Sequence, residues 1–187
     1  CYGFLTIFFS IFFSQNFNVN PYLQNVTPTS IHIMWETTSG NESIVQWGET
    51  LDLDLITTGE AFNSITSYYI HDVHLTELIP NTRYYYKVAT GDLYSEIFDF
   101  VTPNESEQES SLRVVAMSDM QKDWSNYYKF QEIINQGIIS YLDIGDSLLL
   151  TDALDLVLIP GDLVDNGMEH EQWGHHFFGP SEPLFSH

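Results

Sequence analysis

The sequence predicts two domains, an all-β sandwich followed by a strand–helix–strand unit of an α/β fold. Residues 19–103 contain several short stretches in which apolar and polar side chains alternate, as they do along half-buried strands. The polar, acidic stretch at residues 104–111 is typical of a linker. In residues 112–187 the pattern changes to two apolar runs separated by a helical repeat. These observations predict the order of the domains and where they meet.

The first residues are interpreted as part of a secretory signal peptide. Residues 2–13 (YGFLTIFFSIFF) are almost entirely apolar and precede a polar Ser-Gln-Asn. A run of this length is shorter than the roughly 20 residues of a membrane span, but it suits the hydrophobic region of a signal. No initiator Met or basic segment precedes it, so we assign residues 1–16 to a partial signal peptide, with a buried strand as the alternative. A signal predicts a secreted protein, periplasmic or extracellular, with no stable membrane anchor after its removal.

The charge balance excludes several classes of partner. The chain has 26 Asp and Glu against 5 Lys and Arg, for a formal net charge of -21. Without a basic patch it cannot neutralise a phosphate backbone or adhere to anionic lipid, so neither nucleic acid nor a membrane surface is expected as a partner. The only cysteine is Cys1, so no intramolecular disulfide can form.

Alternation in the first domain is clearest in two places. One predicted strand has its large apolar residues at alternate positions, so that they face the same side: Ile31, Ile33 and Trp35. A second series places apolar, turn and aromatic residues on one parity: Leu78, Pro80, Thr82, Tyr84, Tyr86 and Val88. Several short strands in about 80 residues predict an immunoglobulin-like β-sandwich.

This stretch resembles a fibronectin type III module. The likeness is carried by the L-x-P-x-T-x-Y-x-Y-x-V series and by the early strand that contains Trp35. Together with PYLQNVTPTSIHIMWET and HDVHLTEL, these residues are similar to the N-terminal domain of purple acid phosphatases and related bacterial proteins. No residue of this domain is predicted to be catalytic.

The second domain begins with a predicted βαβ unit. The apolar runs at residues 112–117 and 156–159 are the strands, and residues 126–142 carry apolar side chains at helical spacing: Phe130, Ile133, Ile134, Ile138 and Tyr141. Uninterrupted apolar runs are typical of parallel strands buried on both faces. A βαβ crossover sets the strands parallel and brings their carboxyl ends to one edge of the sheet.

Each predicted strand leads to an aspartate. Asp119 follows the first strand, and Asp162 follows the second after Pro160-Gly161. Ligands of open α/β sheets bind outside the carboxyl ends of the strands, where carboxylates can hold cations. A pair of metals about 4 Å apart can clamp a transferring phosphoryl group. We expect Gly161 to let the backbone turn where a side chain would crowd this site.

SDMQ and GDLVDNG resemble the first two motifs of the calcineurin-like metallophosphoesterase superfamily. By that likeness, residues 112–187 form the truncated N-terminal part of a metallophosphoesterase domain. Asp119 would ligate one metal and Asp162 would bridge two, with iron, manganese or zinc as the ions. The resemblance implies an acid phosphatase-like hydrolase, in which a metal-bound hydroxide attacks phosphate monoesters or diesters.

Two residues depart from the patterns of these families. Many members have His where this chain has Gln121, so the first metal position is weakened or built differently, with an amide that can donate a hydrogen bond or offer its oxygen. Purple acid phosphatases have an iron-binding Tyr where this chain has Asp165, so the resemblance favours a colourless relative. Asp165 is interpreted as a residue that supports a metal ligand or stabilises the turn rather than as a ligand.

Other candidate ligands are set aside. The Gly-Asp pair within residues 143–146 follows no long apolar strand and is interpreted as a loop. Four histidines near the end, namely His170, His175, His176 and His187, occur in a helix-like segment where exposed or packed histidines are the default. His71 and His74 belong to the sandwich, as surface or core residues.

The later motifs of the superfamily, Gly-Asn-His and Gly-His-x-His, do not occur in the 187 residues. These motifs supply the Asn and His ligands and the leaving-group acid, so we expect this chain to be an inactive fragment with the acid beyond His187. The alternative is a secreted binding or adhesion protein whose phosphoesterase-like domain has lost catalysis, which Gln121 motivates. A nucleotide-binding Rossmann-like domain fits less well, because no glycine-rich phosphate loop follows Met117.

Overall fold

A computed structural model describes residues 15–63, 68–105, 111–142 and 149–187. Three predictions concern segments that lie wholly or mostly outside these residues: the signal peptide, the linker and the loop interpretation of residues 143–146. No helix among the described residues has the length and apolar character needed to cross a bilayer.

The first region is a sandwich of two antiparallel sheets. One sheet has the order β1-β2-β6-β5, and its strands are β1 (Phe17–Thr27), β2 (Ser30–Thr37), β5 (Glu60–Asn63) and β6 (Tyr69–Leu75). In the other, β7 (Arg83–Thr90) pairs on one side with β3 (Ile44–Gly48), which pairs with β4 (Leu55–Thr58). β7 also pairs with β8 (Leu93–Tyr94) and β9 (Phe98–Val101). The sandwich predicted from the sequence is present.

The core of the sandwich follows the predicted alternation. Ile31, Ile33 and Trp35 of β2 are fully buried against Tyr86 and Val88 of β7 and their neighbours. Since successive side chains of a strand point to opposite faces, one parity of each strand fills the space between the sheets.

Tyr84 holds the turn that precedes β7. The backbone N–H of Ile79 donates a hydrogen bond to the Tyr84 hydroxyl over 2.9 Å. This contact from a tyrosine near the start of a strand to the backbone just upstream is a hallmark of immunoglobulin-like sandwiches. The tyrosine of the L-x-P-x-T-x-Y series therefore locks the corner between the two sheets.

His71 is a core residue of the sandwich, not a ligand. Its ring stacks on Trp35 with the centroids 4.8 Å apart, and its nitrogens lie 2.8 Å from the hydroxyls of Thr37 and Ser43. Burial lowers the pKa of His71 from 6.5 to about 4, because the charged imidazolium would lose its hydration. His71 is therefore neutral at physiological pH, whereas His74 lies exposed and stacks on His32.

The second region contains two short parallel strands, β10 (Val114–Ala116) and β11 (Leu156–Leu158). Between them, helix α1 (Lys129–Glu132) continues as the π-helical segment Ile133–Ile139, and a 3₁₀ turn at Leu150–Asp152 precedes β11. The predicted strand–helix–strand order is therefore present.

The prediction that these strands are buried on both faces is wrong for the described residues. Val114 and Leu158 are 41% and 49% exposed, while Val115 and Val157 pack on a second core. Since β10 and β11 pair only with each other among the described residues, each is an edge strand covered on one face.

The helix between the strands buries fewer of its apolar side chains than their helical spacing in the sequence predicted. Phe130, Ile134 and Ile138 enter the second core, whereas Ile133 and Tyr141 are exposed. Positions four residues apart lie on one side of a helix, so a single stripe packs on the strands.

Three consecutive helical segments close the second core and contact the sandwich. They are α2 (His170–Gln172), the π-helical segment Trp173–Phe178 and α3 (Gly179–Phe185). The Ser186 hydroxyl donates to the Pro21 carbonyl over 2.6 Å, and the Tyr86 hydroxyl donates to the Ser186 carbonyl over 2.8 Å. These contacts dock α3 against β1 and β7.

A polar cluster around Asp99 forms a second contact between the regions. The Thr151 hydroxyl donates to Asp99 over 2.6 Å, the His187 ring lies 3.1 Å from it, and Arg83 forms ion pairs with Asp99 and Asp152. Burial disfavours the Asp99 carboxylate, but the hydrogen bonds from His187 and Thr151 and the charges of His187 and Arg83 hold its pKa below the usual value.

Candidate metal centre at the strand ends

Asp119 and Asp162 follow two strands that end side by side. In the parallel register Ala116 pairs with Leu158, the last residue of each strand. The Met117 N–H extends the pairing by donating to the Leu158 carbonyl over 3.0 Å. Both aspartates therefore leave the sheet at the same edge, as the βαβ prediction required.

A backbone hydrogen bond joins the two loops at the level of the aspartates. The Gln121 N–H donates to the Asp162 carbonyl over 2.9 Å. Asp119 and Asp162 both adopt left-handed backbone conformations, with φ of 61° and 54°. Aspartate adopts this conformation more readily than most residues with a side chain, and four residues of the sandwich also adopt it, so here it marks the turns that follow the two strands.

The carboxylates at the strand ends differ from two others in the second region that are paired with cations. Asp155 pairs with Arg113, and Asp123 pairs with Lys129. Asp119 and Asp162 are exposed, and their side chains have no hydrogen bond or ion pair within the described ranges. They are therefore free to bind a cation.

Gln121 offers a further oxygen beside the pair. Its Oε1 atom is buried and has no hydrogen-bond partner among the described residues. A buried carbonyl oxygen without a partner loses its hydration and gains nothing in return, so it favours a donor or a cation placed against it. The interpretation of Gln121 as an altered metal position stays a prediction.

The turn after Asp162 is stabilised by Asn166 rather than by Asp165. The Asn166 N–H donates to Gln172 over 3.0 Å, its amide donates to Glu169 over 2.9 Å, and its oxygen accepts from the Met168 N–H over 3.1 Å. Asp165 is exposed, with no side-chain hydrogen bond to any other described residue.

Gly161 does not have the predicted steric role. A Cβ atom placed on Gly161 would meet no heavy atom within 4 Å, and its φ is not in the left-handed region. The prediction that a side chain here would crowd the site is therefore wrong, because the turn is made by Asp162 itself and the space beside Gly161 is open.

The histidines near the end of the chain have different environments. His170 lies 2.8 Å from Glu36 and His187 lies 3.1 Å from Asp99, so both contact the sandwich. His175 is exposed. These three fit the interpretation of the group as packed or exposed residues.

His176 is also packed, but sequence reasoning did not find the unusual environment of its ring. Its Nδ1 atom is buried with no hydrogen-bond partner among the described residues. Burial and the neighbouring Lys122 charge lower its pKa, while Asp165 and Glu169 oppose the shift. Helical spacing could have found it, since Trp173 and Phe177 face the core and leave His176 on the flank of the helix.

The donors at the strand ends are two free carboxylates and one amide oxygen. Such oxygen ligands suit hard cations, and carboxylates can bridge two ions. No group of three or more His, Cys, Asp or Glu side chains able to hold a metal is found in the part of the chain that the structure describes.

Comparison with known families identifies the sandwich. Residues 17–102 match the family model described as the N-terminal domain of purple acid phosphatase. The matched residues coincide with the sandwich, which is the part of the chain for which the sequence showed this resemblance. No curated protein sequence matches the chain significantly.

Solved structures share the fold. The structure of PhoD aligns with a TM-score of 0.56 and 16% identity, covering 79% of this chain. That coverage exceeds what residues 17–102 can supply, so the shared fold includes residues outside the sandwich. This chain spans 28% of the PhoD chain. A looser likeness is to the sensor domain of the anti-sigma factor RsgI4 of Pseudobacteroides cellulosolvens, with a TM-score of 0.41, 19% identity, and 53% and 99% of the two chains covered.

Proposed function

We propose that this chain carries the first metal ligands of a secreted phosphoesterase that hydrolyses phosphate esters. The observation that carries the proposal is the pair of unpartnered carboxylates, Asp119 and Asp162, at one edge of two parallel strands. Residues 17–102, which precede this pair in the chain, match the family model of the purple acid phosphatase N-terminal domain.

The proposal includes the finer fold assignment. β10 and β11 would be the first two strands of an α/β metallophosphoesterase sheet, with residues 112–187 as its N-terminal part. The half-exposed side chains of Val114 and Leu158 support this, since apolar parallel strands are normally covered on both faces.

Asp119 and Asp162 would hold the metal ions, with the Gln121 side chain beside them. An oxygen-only donor set suits manganese better than zinc or iron, which favour imidazole, although added histidine ligands would change that preference. When bound, the metals would supply Lewis-acid activation of water and neutralise charge on the phosphoryl group.

The chain's own residues prepare the site. The hydrogen bond from the Gln121 N–H to the Asp162 carbonyl fixes the separation of the two loops. The left-handed backbone at both aspartates turns the chain shortly after each strand ends. Asp165, near His176, would adjust the charge of the surroundings rather than ligate.

Site-specific manganese binding tests the proposal. In NMR spectra of the ¹⁵N-labelled 187-residue chain, substoichiometric Mn²⁺ should broaden the amide signals around Asp119, Gln121 and Asp162 first. Asp119→Asn or Asp162→Asn should remove this selectivity. The matched control is Asp92→Asn, which alters an exposed aspartate of the β7–β8 turn and should leave it unchanged.

Broadening spread evenly over the acidic surface, or unaffected by Asp119→Asn and Asp162→Asn, would contradict the metal site and favour the binding or adhesion alternative. The isolated chain should show no robust turnover of p-nitrophenyl phosphate, because the Gly-Asn-His and Gly-His-x-His sequences do not occur in it. Robust activity of this chain would overturn the expectation that hydrolysis needs the groups these two motifs supply.

A further inference from the structure

A cavity of about 240 Å³ opens beside Gln121. One wall is the loop after Asp119, with Gln121, Lys122 and Tyr127, and the facing wall is the helix around His176 and Pro180. Pockets that enclose drug-sized ligands measure about 300–1,000 Å³, so this cavity suits a single ring system. Its place next to the strand-end aspartates makes it a neighbour of the proposed metal site.

Two orphaned polar atoms belong to residues of these walls. Gln121 Oε1 and His176 Nδ1 are both buried, and neither has a hydrogen-bond partner among the described residues. The amide oxygen requires a donor, while a ring nitrogen can accept or donate according to its tautomer. Both atoms have almost no accessible surface, so a guest with hydrogen-bonding groups on its edge would satisfy them once the two side chains turn toward the cavity.

The mouth of the cavity is aromatic. Tyr127 and Tyr128 line it and are more than half exposed, and the ring of Tyr127 packs edge-on against His176 with the centroids 5.8 Å apart. Exposed aromatic faces bind flat rings by stacking, and this contact contributes roughly 1–3 kcal/mol per base in nucleic-acid complexes.

Lys122 supplies positive charge where the chain has little. Its ammonium lies 4.1 Å from the ring centroids of both Trp124 and Tyr127, and it forms no ion pair within the described ranges. Arg83, Arg113 and Lys129 are already paired with aspartates. In a chain of net charge -21, Lys122 would attract an anionic ester to this mouth.

We propose that this cavity receives the organic group of the phosphate ester and that this group is a planar heteroaromatic ring, as in a nucleoside monophosphate. The ring stacks on Tyr127, its polar edge meets Gln121 Oε1 and His176 Nδ1, and its phosphate points toward Asp119 and Asp162. This assignment rests on the proposed function, which it deepens by naming a substrate class.

Ligand titrations of the ¹⁵N-labelled chain in excess Mg²⁺, which keeps the strand-end carboxylates from repelling phosphate, test it, with adenosine 5′-monophosphate, ribose 5-phosphate and inorganic phosphate as probes. The nucleotide should shift the signals of Gln121, Lys122 and His176, and ribose 5-phosphate should need at least about 10-fold higher concentration, because it lacks the stacking ring. Tyr127→Leu should weaken nucleotide binding about 5-fold or more.

Two matched controls are available in the sandwich. Tyr94 is exposed to a similar degree as Tyr127, and Lys87 lies over its ring as Lys122 lies over Tyr127. Tyr94→Leu and Lys87→Met should leave nucleotide binding unchanged, whereas Lys122→Met should weaken it. Equal binding of the three probes, or equal effects of Tyr127→Leu and Tyr94→Leu, would overturn the assignment.

The manganese experiment separates this inference from the proposed function. If Mn²⁺ selects the strand ends while the nucleotide does not bind the cavity, only the ring assignment fails. If the nucleotide binds but Mn²⁺ shows no selectivity, the proposed function fails. The cavity then binds the nucleotide ring, but the nucleotide is not a substrate.

Discussion

The sandwich and the strand–helix–strand region contain similar apolar sequences but bury them to different extents. In the sandwich two sheets face each other, and Trp35 and Tyr86 are completely enclosed. In the second region β10 and β11 are covered on one face, and Leu158 remains about half exposed. Two antiparallel sheets close a core between themselves, whereas a parallel pair depends on other elements to cover it.

Carboxylates at the contact between the two regions and carboxylates at the strand ends have different surroundings. Where the sandwich meets the C-terminal helices, Asp99 and Glu36 are engaged by Arg83, His187 and His170. At the strand ends of the second region, Asp119 and Asp162 have no partner among the described residues. Acidic groups at the contact between the regions therefore hold the structure together, and those at the strand ends remain available for chemistry.

The largest expected effect compares two tryptophans. Trp35 is 0% exposed in the sandwich core, while Trp124 is 82% exposed in the second region. Trp35→Ala should lower the free energy of unfolding by about 3–5 kcal/mol, since it leaves a cavity and orphans the Thr90 hydroxyl that Trp35 contacts. Trp124→Ala should change it by less than about 0.5 kcal/mol. Urea unfolding measures both, and similar losses would contradict the division into a closed core and an open region.

An intermediate effect concerns acid stability of the sandwich. Between the ordinary His pKa of 6.5 and the folded value of about 4, the unfolded chain binds the His71 proton more readily than the folded chain. His71 therefore makes its full contribution to the free energy of unfolding above pH 6.5. This contribution, roughly 3 kcal/mol, is lost as the pH falls toward 4.

Unfolding measured at several pH values checks this prediction. His71→Gln should flatten the pH dependence relative to the unaltered chain, and His74→Gln, which alters an exposed histidine of the same strand, should not. Carboxylates such as Asp99 add to the loss in every variant, so the informative quantity is the difference between the curves. Identical curves for His71→Gln and the unaltered chain would refute the role of His71.

The smallest expected effect probes the junction of the two regions. Tyr86→Phe removes the hydrogen bond to the Ser186 carbonyl and should cost about 1 kcal/mol. Hydrogen exchange should increase in α3, because this bond docks that helix. Tyr84→Phe, which removes a bond inside the sandwich instead, should leave exchange in α3 unchanged. Equal exchange in α3 for the two variants would mean that the junction does not depend on Tyr86.

Local patterns predicted the sandwich because every second residue along its strands is buried. The parity of Ile31, Ile33 and Trp35 matches the observed core without exception. The strand–helix–strand order was also predictable, since Phe130, Ile134 and Ile138 repeat at the helical period. The degree to which β10 and β11 are buried was not predictable, because an apolar run has the same sequence whether or not other elements cover it.

The sequence alone determined the sandwich, the two parallel strands and the positions of Asp119 and Asp162, since all of these depend on neighbours close along the chain. Only the tertiary structure decided that Asn166 stabilises the turn after Asp162, that Gln121 Oε1 and His176 Nδ1 are left without partners, and that Lys122 lies at an aromatic mouth. Ser186 meets Pro21 although 165 positions separate them. Contacts of this kind form when distant elements pack together, so no local pattern in the sequence encodes them.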